Sequence, residues 1–266
     1  MCLSSNSHCR SIPILLLILL WGGTSHAQPS KAVQRPTPAP TSSPHFVKHH
    51  YIAADGFVID YWLMTPANLE EDKRYPLVLS LHGRGGNTRA ATELGSNALR
   101  EEFPCYVFAP ASTKAGHWLR PEGRPSRGNR KSKAMLPVAL EAFDAVIEQH
   151  PIDKRKVYVT GQSMGGAGTY GSLTLRPDVF AAAIPVCGGW NLGDADKFRK
   201  VALWIFHGDQ DKVVPTEYSR RLFQAITNAG GNPKYTEYQG VGHDSWSRAY
   251  ANRETWSWLF SQERSE

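Results

Sequence analysis

Cysteine is scarce: the 266-residue chain has four, and two of them, Cys2 and Cys9, precede an N-terminal apolar run. Cys105 and Cys187 are left for the folded part. A small domain stapled by disulfides carries more, so an apolar core has to hold this one together. No apolar run reaches the roughly 20 residues that a helix needs to cross a hydrocarbon core, so the mature protein is expected to carry no membrane span. The net charge is only +6, with no periodic basic face and no nucleic-acid motif, so no nucleic-acid partner is expected. Metal-ligand spacing, a dinucleotide fingerprint and a haem motif are all missing. No metal and no cofactor is therefore expected. No internal repeat is found.

What is present is ordinary for one globular domain: 41% hydrophobic and 20% charged residues. Arg10 precedes the apolar run Ile12–Trp21, and Ser25-His26-Ala27 supplies small residues where a signal peptidase reads. Residues 1–27 thus read as a secretory signal peptide, cleaved between Ala27 and Gln28, which sends the protein to the periplasm or outside the cell. An uncleaved anchor is the alternative. Residues 28–44 are Pro, Thr, Ser and Ala with prolines at 29, 36, 38, 40 and 44, too polar to bury a core, and read as a linker. The folded domain is expected over residues 45–266.

Phe46–Ile52 and Phe57–Met64 flank Asp55-Gly56, the signature of an antiparallel hairpin. Short apolar runs follow at Leu77–Leu81, Tyr106–Ala109, Val157–Thr160, Ala182–Val186 and Ala202–Phe206. Strands without polar alternation are buried on both faces, as in a parallel sheet between helices. Helical stretches alternate with them at Thr92–Glu101, Leu136–Gln149, Met164–Leu175 and Thr216–Asn228. A strand at Lys234–Tyr238 and a helix at Trp246–Phe260 close the chain. The fold class is α/β, a doubly wound and mostly parallel sheet of about eight strands behind the hairpin. Cys105 opens one strand and Cys187 follows the end of another. Opposite ends of parallel strands lie about 17 Å apart, beyond the ~7 Å that a disulfide spans between Cα atoms. Both cysteines are therefore expected to be unpaired.

The strand Val157–Thr160 runs into Gly161-Gln162-Ser163-Met164-Gly165 and then a helix. In that setting only small neighbours allow the strained turn that lifts a serine hydroxyl above the strand ends. A glycine-rich turn with an incidental serine is the plain alternative. A serine attacks only when a base takes its proton, and the base needs an acid to fix its tautomer. Downstream histidines are His207 and His243. His207 ends an apolar strand and reads as structural packing, whereas His243 sits in a glycine-rich loop before the last helix and is the expected base. The acid should stand in the turn Gly208–Pro215, where Asp211 is preferred. Asp209, directly after Gly208, better serves to brace the turn through its backbone; Asp244 is too close to His243 to orient it. Two oxyanion donors are expected, the backbone amides of Met164 and of Arg84 in the loop His82-Gly83-Arg84-Gly85-Gly86. That loop lacks the Lys-Ser/Thr ending of a phosphate loop.

These motifs resemble a secreted branch of the α/β-hydrolase superfamily related to prolyl oligopeptidase catalytic domains, feruloyl esterases and polyhydroxybutyrate depolymerases. The similarity spans about residues 46 to 262 and is carried by SLHGRGG (80–86), VYVTGQSMGGAGTY (157–170), FAAAIPVCGGW (180–190), FHGDQDKVVP (206–215) and YQGVGHDSW (238–246). It implies an α/β-hydrolase fold with Ser163 as nucleophile, Asp211 as acid and His243 as base, so Asp211 is favoured over Asp209 on both grounds. Relatives often carry a Glu- or Asn-type loop where this chain has Arg84-Gly85-Gly86. Dienelactone hydrolases use cysteine at the nucleophile position, which Ser163 argues against.

The leading expectation is an esterase acting on a small-molecule or polysaccharide-linked ester. A peptidase has the same chemistry, although this length is expected to leave no room for the propeller of prolyl oligopeptidases proper. A catalytically inactive carbohydrate- or surface-binding module is the reading from another class. Trp118 follows the C-terminal end of a strand, the edge where such folds bind ligands, and is expected to wall the substrate pocket. Basic residues between Arg124 and Lys133 read as a solvated loop.

Overall fold

The computed structural model describes residues 45–86, 88–113, 116–120 and 133–264. The expected signal peptide, the linker and the basic stretch through residue 132 lie outside the described residues. Described residues fall within one of two units, Gln34–Glu266.

Eight strands form one sheet: β1 (Phe46–Ile52), β2 (Val58–Met64), β3 (Tyr75–Leu81), β4 (Tyr106–Pro110), β5 (Ile152–Gln162), β6 (Ala182–Val186), β7 (Ala202–Gly208) and β8 (Lys234–Tyr238). Their spatial order is β1-β2-β4-β3-β5-β6-β7-β8. β1 pairs with β2, and β2 with β4, antiparallel; every pairing from β4 onward is parallel. The expected hairpin and parallel sheet are both present.

Helices cover the two faces: α1 (Arg89–Leu94), α2 (Asn97–Glu102), α3 (Leu136–Gln149), α4 (Met164–Leu175), α5 (Ala195–Phe198), α6 (Glu217–Asn228), α7 (Ser245–Ala251) and α8 (Arg253–Phe260). Strand alternation decides which layer each residue meets. Leu77, Leu79, Leu81, Val157, Val159, Leu203 and Ile205 pack under α3, α4, α5 and α6. Val78, Val107, Tyr158, Ile184, Trp204 and Phe206 pack against α1, α7 and α8. Both faces are thus buried, which explains why the strands read as unbroken apolar runs. No helix among the described residues is long and apolar enough to cross a membrane.

Two expected helices are each divided. Gly95 ends α1 and Ser96 caps α2 by accepting from the Leu99 amide (3.4 Å), while Asn252 separates α7 from α8 and caps the latter through the Glu254 amide (3.0 Å). An Asn or Ser side chain that satisfies the first amides of a new helix favours a restart over continuation. β5 starts five residues earlier than its apolar run, because Tyr75 pairs with Ile152 across a register shift. Cys105 and Cys187 are both buried and free.

Candidate active site

Everything at the site hangs from strand ends. Ser163 joins β5 to α4 with φ 55° and ψ −114°, outside the regions L-residues favour. The fold holds it there by close backbone approach: a Cβ at Gly161 would collide with the Gly165 carbonyl, and one at Gly165 with the Leu81 carbonyl. Only glycine lets β5, α4 and β3 meet so tightly. The Ser163 amide donates to the Val186 carbonyl at 2.9 Å, tying the turn to β6.

His243 comes from the β8–α7 loop. That loop presses on the end of β7, where a Cβ at Gly208 would strike the Val241 and Gly242 carbonyls. Its Nε2 lies 2.9 Å from Ser163 Oγ and its Nδ1 lies 2.7 Å from Asp211 Oδ2. The Asp211 carboxylate has no exposed surface, and the imidazole is 21% exposed, enough for a substrate to reach. Asp211 also accepts from the Val213 (2.8 Å) and Val214 (2.9 Å) amides through Oδ1. Burial alone would raise this carboxyl; the hydrogen bonds from His243, Val214 and Val213 outweigh it and hold it below the usual range. An ionised, oriented acid behind an imidazole that touches a hydroxyl can run proton transfer in both directions.

Ser163, His243 and Asp211 thus meet as one hydrogen-bonded chain. Asp209 does not join it. Its Oδ1 accepts from the Gly240 amide at 2.8 Å, so it braces the facing loop, not its own turn. The turn is braced by Asp211 itself.

The β3–α1 loop lies beside the serine: a Cβ at Gly83 would stand 3.7 Å from Ser163 Cβ. Met164 opens α4, so its amide is among those a helix leaves unpaired. Arg84 is exposed at the tip of the loop. His82 holds this loop from below. Its Nε2 accepts from the Ser112 amide (2.9 Å) and its Nδ1 donates to the Gly83 carbonyl (2.7 Å). Burial lowers its pKa to about 4, so the ring is neutral.

Trp118 is a correction. It is fully buried, not a pocket wall. The indole Nε1 donates to the His82 carbonyl at 2.8 Å, and the ring meets the His82 ring edge-on at 4.8 Å. α4 covers it at Gly168, where a Cβ would stand 2.8 Å from Trp118 Cβ. Position after a strand's C-terminal end suggested a ligand contact, but the chain turns inward there and the Trp118 carbonyl accepts from the Met135 and Leu136 amides.

Sequence reasoning also missed Cys187, whose ligand atom lies within 4.8 Å of those of Asp211 and His243. Burial pushes this thiol up to about 12, which keeps it protonated at neutral pH, neither thiolate nucleophile nor ready metal ligand. A cysteine directly after a strand and before Gly188-Gly189 carried no distinctive signal.

The chain is similar to several known proteins. The model of the prolyl oligopeptidase family matches residues 129–199. The chain is 34% identical over 139 residues to poly(3-hydroxyalkanoate) depolymerase C of Paucimonas lemoignei, covering 47% of this chain and 32% of that protein. It is 27% identical over 197 residues to probable feruloyl esterase C of Aspergillus flavus, covering 70% of this chain and 67% of that one. The solved structure of a thermostable esterase superposes with a TM-score of 0.76 at 31% identity, over 83% of this chain and 64% of the other. The chain therefore spans about a third of the depolymerase and under two thirds of the esterase.

Proposed function

We propose that this chain, which belongs to the α/β-hydrolase superfamily, is a serine hydrolase that cleaves carboxylic esters through an acyl-enzyme on Ser163. The observation that carries the reading is His243 hydrogen-bonded to Ser163 at 2.9 Å and to Asp211 at 2.7 Å. Asp211 fixes the tautomer with Nδ1–H, leaving Nε2 to take the serine proton as Oγ attacks the ester carbonyl. The carbonyl oxygen gains charge beside the Met164 and Arg84 amides, and one such donor contributes ~3–4 kcal/mol. Protonated His243 then gives its proton to the departing alcohol. Water enters, loses a proton to the same nitrogen and releases the acid.

Esterase and depolymerase relatives support an ester as the substrate, small or polysaccharide-linked. The leader-like residues 1–27 support secretion or a periplasmic location. The prolyl oligopeptidase match favours a second reading, a serine peptidase with the same residues. Steady-state hydrolysis of short aryl esters, feruloylated and acetylated oligosaccharides, polyesters and proline peptides separates the two. An esterase turns over an ester with a higher kcat/KM than the matched amide; the reverse order would make it a peptidase.

A further inference from the structure

His207, at the end of β7, is buried beside the acid and has no part in the steps above. Its Nε2 faces two acceptors, the Val214 carbonyl at 2.9 Å and Asp211 Oδ2 at 3.2 Å. An imidazole nitrogen between two oxygens that can only accept must carry the proton. Nδ1 then accepts from the Ser219 hydroxyl of α6 at 2.7 Å. Ser219 and its neighbour Thr216 complete the surround, Thr216 Oγ1 bonding the Gly208 carbonyl at 2.5 Å. Asp211 Oδ2 therefore has two imidazole nitrogens beside it, His243 Nδ1 at 2.7 Å and His207 Nε2 at 3.2 Å, while Oδ1 receives two amides.

We propose that His207 is a positioning residue for the acyl transfer, donating from Nε2 to Asp211 Oδ2 so that the acid stays aimed at His243 with its charge shared between two donors. The proposal rests on the serine hydrolase reading. A neutral donor draws negative charge away from the oxygen that faces His243 and so weakens the acid's hold on the protonated imidazole. Without it, Asp211 attracts the His243 proton more strongly and the base is neutral only at higher pH. Burial keeps the His207 ring neutral: it lowers the pKa more than the Val214 carbonyl and Asp211 raise it. Other ionisable groups here are Cys187 at the end of β6, which stays a thiol, Asp244 beside His243, and Glu237 of β8, held by Arg220 at 2.6 Å. These stay the same in every variant below.

The test compares His207→Leu, His207→Gln and Ser219→Ala in the full chain, with kcat and KM for a neutral aryl ester measured across pH. Leu removes the donor. Gln carries a side-chain N–H near the position of Nε2. His207→Leu should lower kcat about tenfold at nearly constant KM, and move the acid limb of kcat/KM to higher pH by about half a unit. His207→Gln should recover most of kcat and the original limb. Ser219→Ala, which leaves the ring without its Nδ1 partner, should move the limb a smaller way in the same direction. Should His207→Leu fail to fold, an acid limb unmoved in Ser219→Ala would by itself overturn the proposal. An acid limb unmoved in both His207→Leu and Ser219→Ala, or a Gln variant no better than Leu, would overturn the proposal. Fluorophosphonate labelling of the wild type separates the two layers. A labelled enzyme with an unmoved limb refutes the His207 role alone, whereas an unlabelled enzyme refutes the serine hydrolase reading beneath it.

Discussion

Ser163 carries a backbone conformation, φ 55°, that costs an ordinary residue about 1–3 kcal/mol. Strain of this kind persists where surrounding structure over-determines it, here to present one hydroxyl to His243. Ser163→Ala removes a single oxygen and should leave the fold intact while lowering kcat on the order of 10⁴-fold or more. A purified variant retaining a tenth of wild-type turnover would assign the chemistry elsewhere. His82 makes a second residue-scale prediction. Its folded pKa of about 4 lies below that of a histidine in an unfolded chain, ~6.5, because burial disfavours the charged ring. The stabilisation from burying it neutral is complete above the unfolded value and is lost as pH falls from there toward 4. Between pH 7 and 4.5 that loss amounts to about 2 kcal/mol. Urea unfolding at both pH values should show a gap smaller by that amount in His82→Gln. An equal gap in the two proteins would mean that His82 protonates in the fold.

The elements that the sequence made plain are those whose pattern is local. Both hairpin strands, α3 and α4 appear where periodicity puts them, and the Ser163 turn is marked by glycines that steric contact requires. Elements set by caps or tertiary pairing were less legible. Asn252 and Ser96 divide apolar stretches that read as single helices, and α5, four residues long, is too short to show a period. The early residues of β5 after Ile152, Asp153 to Lys156, are polar and lie in the irregular stretch between the Tyr75–Ile152 and Leu77–Val157 pairs. The meeting of Ser163, Asp211 and His243 in one hydrogen-bonded chain was legible because each sits in a motif at a strand end. The contacts of Trp118 and His207 were not, since they include partners 36 and 12 residues away. Trp118 now belongs with the β3–α1 loop. Trp118→Phe keeps an aromatic ring, though a smaller one, and deletes the bond to the His82 carbonyl, so kcat should fall for short and bulky esters alike while KM holds. A rise in KM confined to bulky esters would return Trp118 to the substrate pocket.

At the scale of the molecule, two apolar layers on a single sheet supply the stability that disulfides do not. Cys105 packs with the α1 layer, and burial pushes its thiol up to about 12. Both described cysteines should stay reduced through an oxidising compartment, because neither thiol is exposed or ionised. Thiol counting in denatured, unreduced protein tests this, and a count of zero would refute it.

The parallel strands end on one side of the sheet. Ser163, Asp211 and His243 are each presented from such an end or from the loop packed on it. Three positions spread across 80 residues of sequence thereby meet as one hydrogen-bonded group. Its reactivity is best read by intact-mass measurement after exposure to a fluorophosphonate, followed by peptide mapping. The wild type should gain one adduct, located at Ser163 on the tryptic peptide Val157–Lys197, and Ser163→Ala should gain none. An unlabelled wild type, or an adduct that survives in Ser163→Ala, would contradict a serine hydrolase built on this triad.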